Sequence, residues 1–301
     1  MFKRDRKMSE KKKERRRIGD RFDGKVIKDL DGMHIFMPVL YPNRCDNEAF
    51  ISELIDMAPI DAYIQKKNQE EGNLFPYTPF HVIVTALIKT LTLRPKLNRF
   101  AANGIMYQRN WISVAFVVKK LFSDDGEEAL AIIYADPGDT ADTIHEKLYD
   151  QISTSRSNTI DPSMNSMNIV GKLPVRFVRA IARLVCFLEK RGKCPRYFIA
   201  SDPYYSTCLV SNIGSLHLES GYHHLTNWGT CSLFLMVGEI GDQVVVGSGG
   251  EPEVKRMLPI TLTIDERIAD GYYYSKSIRL IKKLLENPEL LEHPMNEEIE
   301  Y

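Results

Sequence analysis

Apolar residues recur every three or four positions in several segments, which is the spacing of a helix with one buried face. The pattern predicts helices over residues 80–93, 140–153 and about 271–287, and a further helix that begins at Pro59. Pro95 ends the first of them. The residues that form the apolar faces are Phe80, Val84, Leu87 and Leu91 in the first helix and Tyr274, Ile278, Ile281 and Leu285 in the last.

Shorter runs of apolar and aromatic residues, broken by turn-forming residues, predict strands. Such runs occupy residues 33–58, 111–118 and 129–135, and we expect the last two to form a hairpin about the turn at 123–126. Residues 258–264 alternate between apolar and polar types, as in a strand with one buried face. Because helices and strands follow one another along the chain, we expect a mixed α/β domain.

The spacing of residues 172–191 predicts a strongly amphipathic, basic helix. At about 100° per residue, its basic side chains fall within roughly 60° of one another, and apolar side chains cover the opposite side. Two interpretations are open: a core helix with a solvated basic face, or a helix that contacts an anionic membrane surface or an acidic partner. The basic residues are Arg176, Arg179, Arg183 and Lys190, and the apolar ones are Phe177, Ile181, Leu184, Val185 and Leu188.

The net charge hides an uneven distribution. The 301 residues include 40 basic and 40 acidic ones, so the formal charge is zero. Residues 1–17, however, carry ten Lys or Arg against three acidic residues, and residues 172–196 carry eight against one. The tail from Glu286 has six glutamates and no Lys or Arg. The charge distribution is therefore compatible with an anionic partner. Nucleic acid is not expected, because the basic arm lacks interleaved aromatic residues.

Cysteine and histidine spacing argues against a metal or a disulfide framework. The five cysteines are widely separated and form no Cys-x-x-Cys pair, which favours reduced thiols in the cytoplasm. The histidines have no metal-ligand spacing, so no metal is expected. The basic N-terminal segment has no apolar signal-peptide core, and no run of 18 apolar residues predicts a membrane span. A peripheral position at the inner membrane surface is the alternative location.

The last third of the chain carries a compact motif. The strand at 258–264 is followed by Asp-Glu-Arg-Ile-Ala-Asp-Gly at 265–271 and by a helix that ends in Asn287-Pro288. This order resembles the end of the acyltransferase (E2) catalytic domain of 2-oxo-acid dehydrogenase complexes, a relative of chloramphenicol acetyltransferase, whose motif is Asp-His-Arg-x-x-Asp-Gly. Weaker matches precede it in the family's order: Arg-Pro-Lys-Leu-Asn at 94–98, Val-Ser-Asn-Ile-Gly at 210–214 and Val-Gly-Glu-Ile at 237–240.

The resemblance implies a fold and a chemistry. It implies an α/β, chloramphenicol acetyltransferase-like two-layer fold with a mixed β-sheet and packed helices, and transfer of an acyl group from an acyl-CoA-type thioester to a thiol, hydroxyl or amine. It also implies a homotrimer with active sites between subunits. On this match Ser211 donates to the oxyanion and Asp270 is a structural carboxylate, while the substrate-binding residues are Asn212, Arg267, the motif arginine, and Gly271.

One position departs from the family pattern: Glu266 stands where the family has its catalytic His. A carboxylate of pKa about 4.3 is a weaker base than an imidazole of pKa about 6.5, by about 3 kcal/mol, although burial can raise the carboxyl pKa. His223 or His224, which follow the Ser211 strand, are alternative bases, and both are also compatible with a structural role. A third alternative is a site that no longer catalyses.

We divide the chain into a basic arm at 1–32, an acyltransferase-like catalytic domain at 33–292 and an acidic tail at 293–301. An insertion at about 155–200 contains the basic amphipathic helix. Residues 1–32 are too short for a lipoyl or subunit-binding domain, so we expect no lipoyl attachment site, no tightly bound cofactor, and acyl-CoA as co-substrate. The leading hypothesis is a trimeric acyltransferase, and the alternative is a catalytically inactive trimeric binding or assembly module. A third possibility is a membrane-embedded acceptor, with the stripe of Arg176, Arg179, Arg183 and Lys190 docking the protein on anionic lipid.

Overall fold

The computed structural model describes residues 18–70, 75–119, 128–156, 173–247 and 249–301. Its helices are α1 (Gly32–Leu40), α2 (Met57–Gln69), α3 (Pro79–Leu93), α4 (Ala141–Arg156), α5 (Val175–Lys190), α6 (Arg196–Ser201) and α7 (Gly271–Glu286). Its strands are β1 (Gly24–Val26), β2 (Glu48–Asp56), β3 (Arg99–Ala102), β4 (Ile105–Arg109), β5 (Ile112–Lys119), β6 (Glu128–Ala135), β7 (Cys208–Asn212), β8 (Leu233–Val237), β9 (Gly241–Val246) and β10 (Pro252–Asp265).

A mixed sheet forms the centre of the molecule. Its strands lie in the order β2-β10-β8-β7-β5-β6, and β9 pairs with the first half of β10. Strand β7 runs parallel to both β5 and β8, whereas the other pairs are antiparallel. A smaller sheet contains β1, β4 and β3. The predicted α/β class with a mixed sheet and packed helices is therefore confirmed.

The two faces of the central sheet differ in character. One face is apolar and packs against the helices, and it includes the four alternating residues of β10 that the sequence assigned to a buried face. Burying each of these side chains contributes about 1.5–3 kcal/mol. Thr261 and Thr263 point to the opposite face, because successive side chains of a strand alternate. The residues of β10 in the main core are Leu258, Ile260, Leu262 and Ile264.

A buried lysine of α3 ties the C-terminal segment to the core. Lys89 is fully buried, and its Nζ donates to the carbonyl oxygens of Leu290 at 2.7 Å, Pro294 at 3.1 Å and His293 at 3.3 Å. Burial lowers the pKa of Lys89. No carboxylate is hydrogen-bonded to this ammonium among the described residues, so the three carbonyl dipoles and the nearby charge of Glu297 stabilise it.

The prediction of strands from residue 33 is wrong for the first part of that segment, where the chain forms α1. Asp31 caps this helix by accepting a hydrogen bond from the His34 N–H at 3.1 Å. The helix continues through Pro38 and ends at Leu40, with the Tyr41 N–H donating to the carbonyl of Met37 at 2.9 Å. The predicted strand is present only at Glu48–Asp56.

Most other predicted elements are confirmed. The helix expected from Pro59 begins two residues earlier, at Met57, because the Asp56 carboxylate accepts from the Ala58 N–H at 2.9 Å and caps it. The helices at α3, α4, α5 and α7 and the pairing of β5 with β6 are as expected. The turn at 123–126, the arm at 1–17 and residues 157–172 of the insertion lie outside the described residues. The domain boundaries stay a prediction.

Candidate active site

Ser211 lies near the carboxyl end of β7. It pairs with Met236 of β8, which in turn pairs with Thr261 of β10, so the three residues form a row across the sheet. Their side chains share the face away from the helices, because the adjacent Val210 and Leu235 belong to the main core. Ser211 is half-buried, and its hydroxyl has no hydrogen-bond partner in the described part of the chain.

The connection between β7 and β8 folds back over this face. The Thr261 hydroxyl donates a hydrogen bond to the carbonyl oxygen of Gly221. Next along the connection, the ring of Tyr222 meets that of Phe50 on β2 edge-on, with centroids 5.2 Å apart. These contacts hold the connection, residues 213–232, above β2 and β10. It covers part of the sheet, and we call it the roof.

A close backbone approach fixes the start of this roof. The Gly238 N–H donates to the carbonyl oxygen of Pro259 at 2.9 Å, and a Cβ at Gly238 would lie 1.9 Å from the carbonyl oxygen of Glu219. Any side chain at position 238 would therefore push the connection away from the sheet. The roof depends on this glycine.

His223 is held against the sheet face by two contacts. Its imidazole stacks on Phe234 of β8, with centroids 4.2 Å apart and ring planes 10° from parallel. Its Nδ1 lies 2.7 Å from the carbonyl oxygen of His224. A carbonyl can only accept, so Nδ1 carries the hydrogen and, in the neutral ring, Nε2 carries the lone pair. The ring thus presents a proton acceptor at Nε2, whereas His224 itself is exposed.

Phe234 also places His223 on the same face of the sheet as Ser211. Phe234 pairs with Leu209, two residues before Ser211 on the neighbouring strand, so Phe234 and Ser211 are diagonal neighbours on one face. Two residues along a strand span about 6.6 Å and neighbouring strands lie about 4.8 Å apart, so the Cα atoms of Phe234 and Ser211 are roughly 8 Å apart. The imidazole stacked on Phe234 therefore lies over the face of the sheet that also carries Ser211.

A buried ion pair organises the corner that holds the Asp-Glu-Arg motif. Asp265 is fully buried and accepts from Arg267 Nε at 2.8 Å and Nη2 at 2.7 Å. Arg267 Nη1 donates to the carbonyl oxygens of Tyr41 and Pro42 at 3.0 and 3.2 Å. Arg44 adds a second cation, with Nε 3.6 Å from Asp265. The Arg267 guanidinium is thus engaged within the protein, and its role in substrate binding stays a prediction.

Glu266 is exposed, whereas its neighbours Asp265 and Arg267 are buried. Its N–H donates to the carbonyl oxygen of Asn47 at 2.8 Å, but its side chain is exposed. It lines an open groove of about 680 Å³ between β2 and α7, to which Gly271 also contributes. The other lining residues include Ile51, Ile278, Lys282 and Tyr301. The Glu266 side chain is therefore not buried within one chain.

Asp270 begins helix α7. Its side chain accepts from the Tyr273 N–H at 2.8 Å, and this hydrogen bond lowers the pKa of the exposed carboxyl group. Asn212, at the end of β7, uses its side-chain oxygen to accept from the Ser215 N–H at 3.3 Å. Among the described residues, no group of three or more His, Cys, Asp or Glu is placed to hold a metal.

The comparisons with known proteins agree with this architecture. Residues 199–292, which include Ser211 and the Asp-Glu-Arg motif, match the model of the 2-oxoacid dehydrogenases acyltransferase catalytic domain. No curated protein sequence matches the chain significantly. A solved structure of a probable dihydrolipoamide acetyltransferase from Listeria monocytogenes is similar, with a TM-score of 0.57 and 16% identity over 90% of this chain and 96% of that one. The fold is that of an E2 acyltransferase core.

Two further structures show the same E2-like fold. The dihydrolipoamide acetyltransferase of Azotobacter vinelandii, studied for the catalytic role of a serine, a histidine and an asparagine, has a TM-score of 0.52 and 15% identity over 89% of this chain and 94% of its own. Chloramphenicol acetyltransferase has a TM-score of 0.52 and 12% identity over 87% of this chain and 99% of its own. The predicted resemblance is therefore confirmed.

Within this E2-like chain, Ser211 and Glu266 lie at opposite ends of the sheet. Ser211 is in the row of Thr261, and Glu266 follows Thr261 by five residues, directly after the end of β10 at Asp265. The two residues are therefore separated by about 15 Å along the strands, and β7 and β10 are two strands apart, or about 10 Å. Ser211 and Glu266 of one chain cannot act on the same reacting atom.

The sequence did not reveal the contacts that shape the site. Asp265 appeared only as part of a motif, yet it is the acceptor at the centre of the buried ion pair with Arg267 and Arg44. The hydrogen bond from Thr261 to Gly221 joins residues 40 positions apart. The ion pair could have been inferred from the sequence, because Asp265 ends a strand two residues before the motif arginine. No pattern in the sequence indicates the roof.

Proposed function

We propose that the protein transfers an acyl group from an acyl-CoA-type thioester to a thiol, hydroxyl or amine acceptor. The observation that carries this proposal is the placement of the free Ser211 hydroxyl and the His223 imidazole on one face of an E2-like sheet. A hydroxyl donor and a nitrogen base near one another are what acyl transfer through a tetrahedral intermediate requires.

His223 is the proposed base. As the acceptor attacks the thioester carbonyl, Nε2 takes the acceptor's proton, while the Nδ1–H bond to the His224 carbonyl keeps the ring oriented. The resulting imidazolium can return the proton to the thiolate that leaves when the intermediate collapses. The stack on Phe234 keeps the ring plane fixed through these steps.

Ser211 is the proposed oxyanion donor. Its hydroxyl would donate to the negative oxygen of the tetrahedral intermediate, and such a donor is worth about 3–4 kcal/mol. Because the hydroxyl has no other partner in the described residues, it need not break an internal hydrogen bond first. No cofactor beyond the acyl-CoA co-substrate enters this scheme.

Glu266 is the competing base, and it brings in a second subunit. Since Glu266 and Ser211 of one chain are too far apart, Glu266 could serve only a Ser211 in another copy. A homotrimer with sites between subunits, as the family resemblance implies, would provide that arrangement. The exposure of Glu266 beside an open groove supports such a contact.

The test is thioester consumption by the purified protein. Short- and long-chain acyl-CoA are incubated with thiol, hydroxyl and amine acceptors, and the released CoA thiol is measured. We expect turnover that falls by about 100- to 1000-fold in Ser211→Ala, with Ser215→Ala, in the turn that follows β7, as the control. A rate equal in the native protein and Ser211→Ala would overturn the proposal.

A second candidate function is a non-catalytic trimeric binding or assembly module. The carboxylate of Glu266 at the motif histidine position favours it, because the family's base is absent there. This candidate predicts no thioester consumption by the native protein and none by Glu266→His. Turnover by the native protein eliminates it.

A cytoplasmic location is part of the proposal. All five cysteines are free, and three of them are buried. Fractionation of the native host under mild conditions tests this, and recovery in an exported fraction would contradict it.

A further inference from the structure

Helix α5 exposes a wide apolar face at the molecular surface. None of its residues is buried, although its side chains include aromatic and aliphatic types. Phe177 is 56% exposed and Leu184 is 57% exposed, and Ile181 and Phe187 are also largely exposed. Positions 177, 181 and 184 have the spacing of one helical stripe. The stripe faces solvent and not the core.

A different side of α5 attaches it to the body of the protein. Val185 packs against the small core cluster that contains Ile199 and Tyr205. Near the helix end, the buried Arg21 donates from Nη1 to the carbonyl oxygen of Glu189 at 2.8 Å and pairs with its carboxylate at 2.9 Å. The helix is therefore anchored near its C-terminal end, and its orientation on the body is fixed.

The third side of α5 is cationic. Arg176, Arg179, Arg183 and Lys190 are exposed, and none has an ion-pair partner among the described residues. Glu189, the single acidic residue between 172 and 196, is turned inward to Arg21. The surface that α5 presents is therefore an apolar stripe bordered by arginines, with no exposed carboxylate on the helix.

We propose that α5 docks the protein on an anionic lipid bilayer, lying in the plane of the interface. The stripe of Phe177, Ile181 and Leu184 would enter the boundary between headgroups and acyl chains, and the arginines would meet lipid phosphates. None of the described helices is long and apolar enough to cross a bilayer, so this attachment is peripheral.

Charge complementarity and shape favour a bilayer over an acidic protein. A protein partner would need a groove that matches a convex stripe about two turns long and acidic groups along one border. A bilayer supplies apolar contact and negative charge together and requires no shape match. The proposal concerns attachment and stands independently of the acyl-transfer chemistry.

Vesicle flotation tests this docking. The full chain is mixed with vesicles of phosphatidylcholine alone or of phosphatidylcholine with phosphatidylglycerol. We expect flotation only with the anionic vesicles, release by high salt, and loss of flotation in the double variant Ile181→Ser with Leu184→Ser. The variant Arg179→Glu with Arg183→Glu should bind the vesicles at least about tenfold more weakly.

Matched controls remove exposed apolar side chains or reverse exposed charges outside α5. Val244→Ser with Val254→Ser removes two exposed apolar side chains from β9 and β10, and Lys28→Glu with Lys66→Glu reverses two exposed charges. Both controls should float like the native protein. Circular dichroism checks that every variant is folded.

A fluorescence measurement separates insertion of α5 from attraction of the basic arm at 1–17. Phe177→Trp should be quenched by brominated anionic lipids, whereas Val254→Trp should show only the background of the native tryptophans. Three results would overturn the proposal: no flotation of the native protein, flotation of the Ile181/Leu184 variant equal to native, or no quenching at position 177. A native protein that does not float, with a smaller oligomer in the Ile181/Leu184 variant, would identify a second copy as the occupant instead.

Discussion

His223 stacks on Phe234 with ring centroids 4.2 Å apart, and Phe234 is the diagonal neighbour of Ser211 on the same face of the sheet. One aromatic side chain therefore sets the position of the proposed base relative to the proposed oxyanion donor. The hydrogen bond from Nδ1 to the His224 carbonyl fixes the rotation of the ring, and the stack fixes its plane. This arrangement provides a base that does not depend on the motif position held by Glu266.

Removing the stack should impair turnover more than binding. In Phe234→Leu the pocket stays apolar but the flat surface under His223 is lost, so we expect kcat to fall about tenfold or more with little change in KM. Phe234→Trp should retain most of kcat. Steady-state kinetics with acyl-CoA measures both.

The matched control for that change is Phe50→Leu. Phe50 contacts Tyr222 of the same connection but not the histidine, so kcat should stay near native. Equal losses in Phe234→Leu and Phe50→Leu would show that the connection as a whole, and not the stack, positions the site.

The ion pair between Asp265 and Arg267 should be the main stabilising interaction of the segment that carries the Asp-Glu-Arg motif. Asp265→Asn leaves buried guanidinium charge without its carboxylate, and we expect the free energy of unfolding to fall by about 3–5 kcal/mol. Asp270→Asn should change it by much less, because Asn and Asp cap helices about equally well. Urea denaturation of both variants makes the comparison, and a larger loss in Asp270→Asn would contradict it.

Helices with a clear apolar periodicity were predictable from the sequence, and a helix without it was not. Helix α7 was predictable because its apolar residues repeat with helical spacing and Asp270-Gly271 marks its start. Helix α1 was missed because its nine residues are nearly all apolar and contain Pro38, so they show no helical periodicity. A capping contact from Asp31 decided its conformation.

Within the site, the sequence identified single residues but not their relationships. Ser211 and the His223-His224 pair stood out by resemblance and by residue type, and the placement of His223 over Phe234 required the pairing of β7 with β8. The separation of Ser211 from Glu266 likewise depends on the register of β10. Register between distant strands is set by packing, which residue patterns in one sequence do not specify.

Lys89 should be essential for the C-terminal segment. Lys89→Met keeps most of the side-chain volume but leaves the carbonyl oxygens of Leu290, His293 and Pro294 without their donor, so we expect a loss of about 2–4 kcal/mol. Amide hydrogen exchange in residues 290–299 should accelerate more than in β8. Unchanged exchange in this segment would refute the assigned role of Lys89.

Buried histidines should make the protein less stable in mild acid. Burial lowers the pKa of His81 to about 3, from an ordinary value of 6.5, and also lowers that of the adjacent His145. Both are neutral when folded but take up protons when unfolded. The free energy of unfolding should therefore fall as the pH drops below about 6.5, by up to about 1.4 kcal/mol per pH unit for each histidine.

His81→Gln isolates one of these contributions. His81 Nδ1 accepts from the Thr78 N–H at 3.0 Å at the start of α3, and a glutamine can accept the same hydrogen bond in this capping position. Urea midpoints between pH 7 and pH 5 should show a shallower pH dependence in the variant. The same slope in both proteins would exclude His81 as a source of acid sensitivity.

The claim that His223 is the base is tested most directly by comparing both candidate bases, His223 and Glu266, in one assay. The measurement is kcat/KM for acyl transfer by the native protein, His223→Gln and Glu266→Gln, with Ser211→Ala as the reference for a disabled site. If His223 is the base, kcat/KM should fall about 100-fold or more in His223→Gln and change only a few-fold in Glu266→Gln. Near-native activity in His223→Gln together with loss of activity in Glu266→Gln would contradict the claim and would assign the base to Glu266 of a neighbouring copy.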